Sequence, residues 1–312
     1  MQRAIEFYSE GFKLQGDIYL PGGLAASETR SAILLCHGYT GVKDLYLPDN
    51  ARVLNEAGYV VMTFDYKGWG DSEGVAPNRL VPYSRVADVQ AAMTFLGLQP
   101  EVNEDRIGIY GTSYGGATVS WVGAVDERAK CIVSVVGIGH GARWMSRVRR
   151  MDEWFDLLER SKADREQRAL TGKSEMVERA EILLPDRQSA DLAAAARKNN
   201  PAAVGTIPVE YVDDTIGFNP EWIVGHISPR PILFITSNDD RLVPPEESEQ
   251  LFASAGEPKK LVVLEGVGHY EVYAEPAFSE VMRETLAWYQ AYLPAKSLRL
   301  DLKTGSLPTD SR

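Results

Sequence analysis

The chain predicts an α/β fold with a mostly parallel central sheet flanked by helices and an inserted helical cap. Three observations predict it. Short apolar runs such as Ser31–His37 alternate with helical stretches, as strands buried on both faces require. The run Arg106–Ser113 ends on a serine and passes straight into the small residues Gly115-Gly116-Ala117. A long, strongly helical stretch then interrupts the alternation between Gly137 and Pro231.

Ala4–Ser9 and Leu14–Leu20 read as an opening hairpin with Gly11 in the turn. Ser31–His37 is the first buried strand, followed by a helix over about Leu47–Ala57 that Gly58 closes. Tyr59–Phe64 is the next strand and Pro82–Leu98 the next helix. Strands recur at Arg106–Tyr110, Lys130–Val136, Pro231–Thr236 and Lys260–Leu264, with helices at Pro245–Ala255 and Pro276–Tyr292. Within the interruption, helices are expected at Arg143–Lys162, Ala163–Leu170, Ser174–Leu183 and Gln188–Lys198. This divides the chain into a body (1–139 and 226–293), a cap (140–225) over the carboxyl edge of the sheet, and a polar tail (294–312).

The 312 residues are 44% hydrophobic and 25% charged, the balance of a globular protein. A formal net charge of −11 argues against a nucleic-acid partner. The start, Met1-Gln-Arg-Ala-Ile-Glu-Phe7, has no long apolar segment, and no later run reaches membrane-spanning length. Cys36 and Cys131 both lie in apolar strand-like runs, where buried reduced thiols fit a cytoplasmic protein. Edge strands and a cap leave homo-oligomer formation open.

Gly111-Thr112-Ser113-Tyr114-Gly115 carries the chemistry. A serine on a sharp turn between strand and helix holds its Oγ clear of the sheet, and small neighbours let helix and strand approach. The same G-x-S-x-G spelling recurs at Gly70–Gly74, but Ser72 trails its strand by several residues and Pro77 blocks a following helix. Ser72 is therefore read as a loop residue and Ser113 as the nucleophile.

A serine hydroxyl needs a base within hydrogen-bond reach. Of the four histidines, His37 precedes the serine, and His140 and His226 sit at the edges of the cap. His269 follows the last strand in a glycine-rich loop, and it alone satisfies the chain order serine, acid, histidine. Two aspartates, Asp239 and Asp240, compete for the acid after Ile232–Thr236. The spacing Asp-x-x-Val-Pro, read at Asp240, resembles that of related hydrolases and on that likeness favours Asp240, leaving Asp239 to support the turn. The backbone N–H of Tyr114, next to the nucleophile, and that of Tyr39, after the first buried strand, are the expected oxyanion donors. Their rings form pocket wall or fill space beside it.

These motifs together resemble the α/β-hydrolase superfamily: His37-Gly-Tyr-Thr-Gly41, Phe64-Asp-Tyr-Lys-Gly-Trp-Gly-Asp-Ser72, Gly111–Gly115, Asp240-x-x-Val-Pro244 and Gly268-His269. The likeness spans about Ser31 to Tyr292 and is similar to the serine-esterase and dienelactone-hydrolase-like branch. Archetypal dienelactone hydrolases use a cysteine nucleophile, so that lactone chemistry does not carry over to Ser113. An aspartate at the elbow would mark dehalogenases or epoxide hydrolases. The resemblance implies cofactor-free acyl-enzyme hydrolysis of a small-molecule ester; some relatives act in polyketide acyl transfer. Amide, thioester or carbon–carbon bond cleavage uses the same triad, and a non-catalytic ligand-binding member is the alternative from another class.

The cap stripe Trp144, Met145, Val148, Met151, Trp154, Phe155 and Leu158 either packs cap onto body or roofs the nucleophile, with Trp144 and Met145 the candidate substrate contacts. The basic run Arg143, Arg147, Arg149 and Arg150 either attracts an anionic substrate or is a solvated face. Gly172-Lys173-Ser174 ends like a phosphate-binding loop, but Gln167 stands where a glycine is needed. Gly137-Ile-Gly-His-Gly141 is no dinucleotide fingerprint, and no spacing indicates a metal site.

Overall fold

Strands that are apolar at every position need cover on both faces, and helices provide it here. The computed structural model describes residues 1–25, 27–74, 79–185, 187, 189–191, 194–195 and 206–296. Its strands are β1 (Gln2–Ser9), β2 (Phe12–Tyr19), β3 (Arg30–Cys36), β4 (Val60–Phe64), β5 (Val102–Thr112), β6 (Ala129–Val135), β7 (Met176–Glu178), β8 (Thr206–Pro208), β9 (Ile232–Ser237) and β10 (Lys259–Leu264). Eight form one sheet in the order β1-β2-β4-β3-β5-β6-β9-β10, and β7 and β8 form a separate antiparallel ladder. β1 pairs antiparallel with β2, and β2 with β4; every pairing from β4 to β10 is parallel.

The two-residue period of the strands sorts the core into two layers. Along β3, Ala32, Leu34 and Cys36 pack into one cluster, and Ile33 and Leu35 into the other. Helices α1 (Leu47–Glu56), α2 (Pro82–Gly97) and α3 (Tyr114–Val125) alternate with the strands, and α4 (Gly141–Arg147), α5 (Met151–Thr171), α6 (Arg179–Ile182) and α7 (Tyr211–Ile216) lie between β6 and β9. After β9 and β10 come α8 (Glu246–Ser254) and α9 (Ala277–Tyr292). Val89 and Met93 of α2, Val119 of α3 and Leu251 of α8 cover one face of the sheet. Leu54 of α1 with Val281 and Tyr289 of α9 covers the other.

The segment between β6 and β9 departs from its expected helices. The stretch Arg143–Lys162 is not one helix: the chain turns at 148–150, and Arg150 N–H donates to Glu153 Oε2 at 2.8 Å to start α5. Asp152 and Glu153 suit that new N-terminus. α5 then runs without a break through the expected boundary at Lys162 and Ala163. Splitting the helix also splits the stripe: Trp144 and Met145 are buried, whereas Met151 and Phe155 are exposed. The expected helix Ser174–Leu183 is instead β7 followed by the single turn α6, because Met176–Glu178 pair with Thr206–Pro208 far along the chain. The expected helix at Gln188–Lys198 falls largely outside the described residues, as does the tail beyond 296. The start of that tail is held: Pro294 carbonyl O accepts from Ser31 Oγ at 2.7 Å and Arg106 Nη2 at 2.8 Å. Among the described residues no helix is long and apolar enough to cross a membrane.

Candidate active site

β5 delivers Ser113 to the carboxyl edge of the sheet, and α3 begins at the next residue. The turn between them gives Ser113 φ 56° and ψ −121°, a conformation costing on the order of 1–3 kcal/mol. Neighbouring backbone holds it there: Ser113 N–H donates to Val135 O at 2.9 Å, and Ser113 O accepts from Ala117 N–H at 3.3 Å. The flanking glycines are a matter of space. A Cβ on Gly115 would lie 2.2 Å from Cys36 O, and one on Gly111 would lie 2.1 Å from Gly115 O. The G-x-S-x-G spelling is thus a packing requirement of this turn. Ser72 serves elsewhere, donating to Asp65 O and accepting from Gln15 N–H.

Two loops bring partners to Ser113. His269, after β10, places Nε2 3.1 Å from Ser113 Oγ and Nδ1 2.6 Å from Asp240 Oδ2. Asp240, after β9, accepts on its other oxygen from the N–H groups of Leu242 at 3.0 Å and Val243 at 2.8 Å. With the carboxylate on Nδ1, the neutral ring carries its proton there and turns a lone pair to the serine. All three side chains are buried. Gly268 N–H donates to Glu271 Oε2 at 2.6 Å and Ser237 Oγ to Val267 O, which ties down the histidine loop. Asp239 points to solvent beside Arg241, its own N–H on Ser237 Oγ at 3.3 Å. Elsewhere, His140 caps α4 through Arg143 N–H, and His226 is exposed.

His37–Gly41 follow β3 and pass close to the serine: a Cβ on Gly38 would be 3.3 Å from Ser113 Cβ. Here the structure adds a residue that the motifs did not single out. Arg85 of α2 is buried and sends Nη1 to Gly38 O and Nη2 to Tyr39 O, each at 2.9 Å. The Gly38–Tyr39 peptide is not among the cis bonds, so its N–H points opposite to its carbonyl. Pinning Gly38 O on Arg85 therefore aims Tyr39 N–H away from the guanidinium. Tyr114 N–H, the first of α3, has no acceptor within the helix. The faces of Tyr66, Trp69 and Tyr114 lie 4.4, 5.3 and 5.9 Å from Arg85 Cζ and shelter its charge. His37, beside it, is pushed well below the usual histidine range by burial and by Arg85, so it remains neutral.

A cavity of about 70 Å³ opens beside Ser113 and His269. Its walls include Tyr39, Tyr46, Leu242 and Tyr273, together with Arg179 and Leu183 from the segment between β6 and β9. Trp144 and Met145 are buried and are not among the residues lining it. Trp144 stands behind the wall, its indole N–H donating to Leu242 O at 2.7 Å and its ring edge-on to Tyr39 at 5.7 Å. The Tyr114 ring packs on Phe218 and Tyr39 in the core. The basic run is mostly paired within the chain: Arg143 with Glu247 and Glu221, Arg147 with Glu246, Arg150 with Asp152.

The family model described as serine aminopeptidase, S33, matches residues 27–277. The chain belongs to this family. It is a hydrolase with the α/β-hydrolase fold. An uncharacterized 31.7 kDa protein in the traX-finO intergenic region of Escherichia coli is 30% identical over 84% of this chain and 91% of its own length. The thiohydrolase aneE of Aspergillus aculeatus is 25% identical over 97% and 96% respectively. A solved structure of DcsB in complex with its substrate analogue superposes at a TM-score of 0.81 and 21% identity, over 94% of this chain and all of that one, which is a likeness of fold. In this α/β hydrolase Ser113 and His269 line one cavity, and Asp240 contacts His269 from outside its lining.

Proposed function

We propose that the protein is a serine hydrolase that cleaves a carboxylic ester of a small organic substrate through an acyl-enzyme. One observation carries the reading: His269 bridges Ser113 at 3.1 Å and Asp240 at 2.6 Å beside an open cavity. Ser113 Oγ attacks the ester carbonyl while His269 Nε2 takes its proton, and Asp240 stabilises the resulting imidazolium. The N–H groups of Tyr39 and Tyr114 receive the oxyanion. Collapse breaks the carbon–oxygen bond, and His269 gives its proton to the departing alkoxide. Water then repeats the sequence on the acyl-enzyme, with His269 as base, and releases the acid and free Ser113. The cycle balances without a cofactor.

Residues 140–225 act as the cap in this reading, and Arg179 and Leu183 supply its contribution to the pocket wall. Trp144 works from behind, fixing Tyr39 and Leu242, and Met145 sits beside it. Thioester cleavage is the second reading, favoured by the name of the thiohydrolase relative; the same triad performs it with a thiolate leaving group. The test is hydrolysis of short and long 4-nitrophenyl esters and of the matching thioesters by wild type and Ser113→Ala. The proposal expects turnover that disappears in the variant, with the chain-length profile reporting the pocket. Turnover surviving in Ser113→Ala would overturn it.

A further inference from the structure

A buried guanidinium stays charged and is costly unless paired. Arg179, the first residue of α6, is only 8% exposed and lines the same cavity as Ser113 and His269. Nη2 donates to Tyr270 Oη at 2.9 Å, and Nε is buried with no hydrogen-bond partner among the described residues. Among the described residues no carboxylate pairs with it and no acidic residue lines the cavity. Of the acids close to it in sequence, Glu178 is exposed and two others are engaged elsewhere. Glu175 and Glu181 both pair with Arg160, at 2.6 and 2.9 Å, and Glu181 also accepts the N–H of Glu178. Arg149, close by, shows how a structural arginine settles in this segment: it donates to the carbonyls of Met145 and Ile182. Those bonds also fasten α6, and so the backbone of Arg179, to the end of α4. Among the described residues Arg179 has no such set of carbonyls.

We infer that Arg179 and the Tyr270 phenol form a carboxylate-recognition site in the cavity wall, so that the preferred ester carries a free carboxylate away from its scissile bond. A guanidinium fork with an adjacent hydroxyl matches a planar two-oxygen anion. A cavity of about 70 Å³, otherwise walled by groups such as Leu45, Leu183 and Tyr46, suits that small anion. This inference rests on the proposed ester hydrolysis for its turnover assay, and the binding assay below is independent of it.

The experiment compares mono-4-nitrophenyl esters of the four- to eight-carbon dicarboxylic acids with 4-nitrophenyl esters of the monocarboxylic acids of equal length. Wild type is expected to favour the diacid half-ester in kcat/KM by tenfold or more at one chain length. In Arg179→Met that ratio falls by about tenfold to hundredfold, the size of one charge-assisted hydrogen bond, and Arg179→Lys restores part of it. Labelling of Ser113 by a fluorophosphonate in the variants confirms that they are folded. Calorimetry of the free dicarboxylates needs no turnover: binding to wild type that is weakened at least tenfold in Arg179→Met supports the site even if no ester is cleaved. No preference for the half-esters, a ratio unchanged in Arg179→Met, or equal dicarboxylate binding by both proteins would overturn it.

Discussion

Replacing Arg85 by Met should impair catalysis from a residue that never touches the substrate. The side chain makes two charge-assisted hydrogen bonds, to Gly38 O and Tyr39 O, each worth about 1.5–3 kcal/mol. Gly38 O would retain His37 Nδ1, 3.1 Å away, while Tyr39 O would be left without its guanidinium. The Tyr39 N–H would survive but lose its fixed aim. Removing an oxyanion donor outright costs about 10²–10³ in kcat, which sets the ceiling. The expected loss is therefore about tenfold to hundredfold in kcat with KM changed much less. Stability should fall modestly, because the carbonyl acceptors left unpaired are partly offset by no longer burying a charge that no carboxylate among the described residues pairs. Arg85→Lys should recover little, since one ammonium cannot span both carbonyls in the same way. Steady-state hydrolysis and thermal unfolding of the three proteins check this. A variant that loses stability while keeping wild-type kcat would refute the claim that Arg85 aims the Tyr39 amide.

Three further outcomes follow from the same geometry. Asp240→Asn should keep the fold, because its oxygen can still accept from Leu242 and Val243, yet lose about 10⁴ in kcat as His269 is forced into the wrong tautomer; near-normal turnover would contradict the assignment. Gly115→Ala should destabilise by about 1–3 kcal/mol or more and abolish activity, since its Cβ meets Cys36 O at 2.2 Å; Gly22→Ala, with nothing within 4 Å, is the control in thermal unfolding. Asp65 is raised to about 6 from 3.8, chiefly by burial and against the opposing N–H groups of Lys43 and Asp71. Its folded pKa lies above the unfolded one, so its stabilising contribution is full below about pH 4 and lost as pH rises through about 6. Relative to Asp65→Asn, wild type should therefore lose up to about 3 kcal/mol of stability between pH 4 and 7 in urea unfolding; a flat difference would refute the burial argument.

The parts of this protein that were legible in its sequence are those dictated by local chemistry. Buried strands announce themselves by apolar runs, and the serine turn by the glycines that its close packing demands. Asp240 and His269 could be singled out as candidates because chain order in this fold leaves few choices, and the structure brings them together. What escaped notice depended on partners distant in sequence. β7 exists because Thr206–Pro208 lies beside it, and no periodicity within Met176–Glu178 announces that. The break at 148–150 was visible in hindsight as Asp152-Glu153 opening a new helix. Arg85 also left a trace: it falls on the same face of α2 as Val89, Ala92 and Leu96, where a charge signals a buried partner. Arg179 left none, since a lone arginine in a polar segment reads as a surface residue.

The most direct test of the account is to map the site of a serine-directed fluorophosphonate by peptide mass spectrometry. The account predicts one adduct, on the peptide carrying Ser113, formed far more slowly in His269→Ala. An adduct on another serine, such as Ser72, or labelling of Ser113 at an unchanged rate without His269, would contradict it.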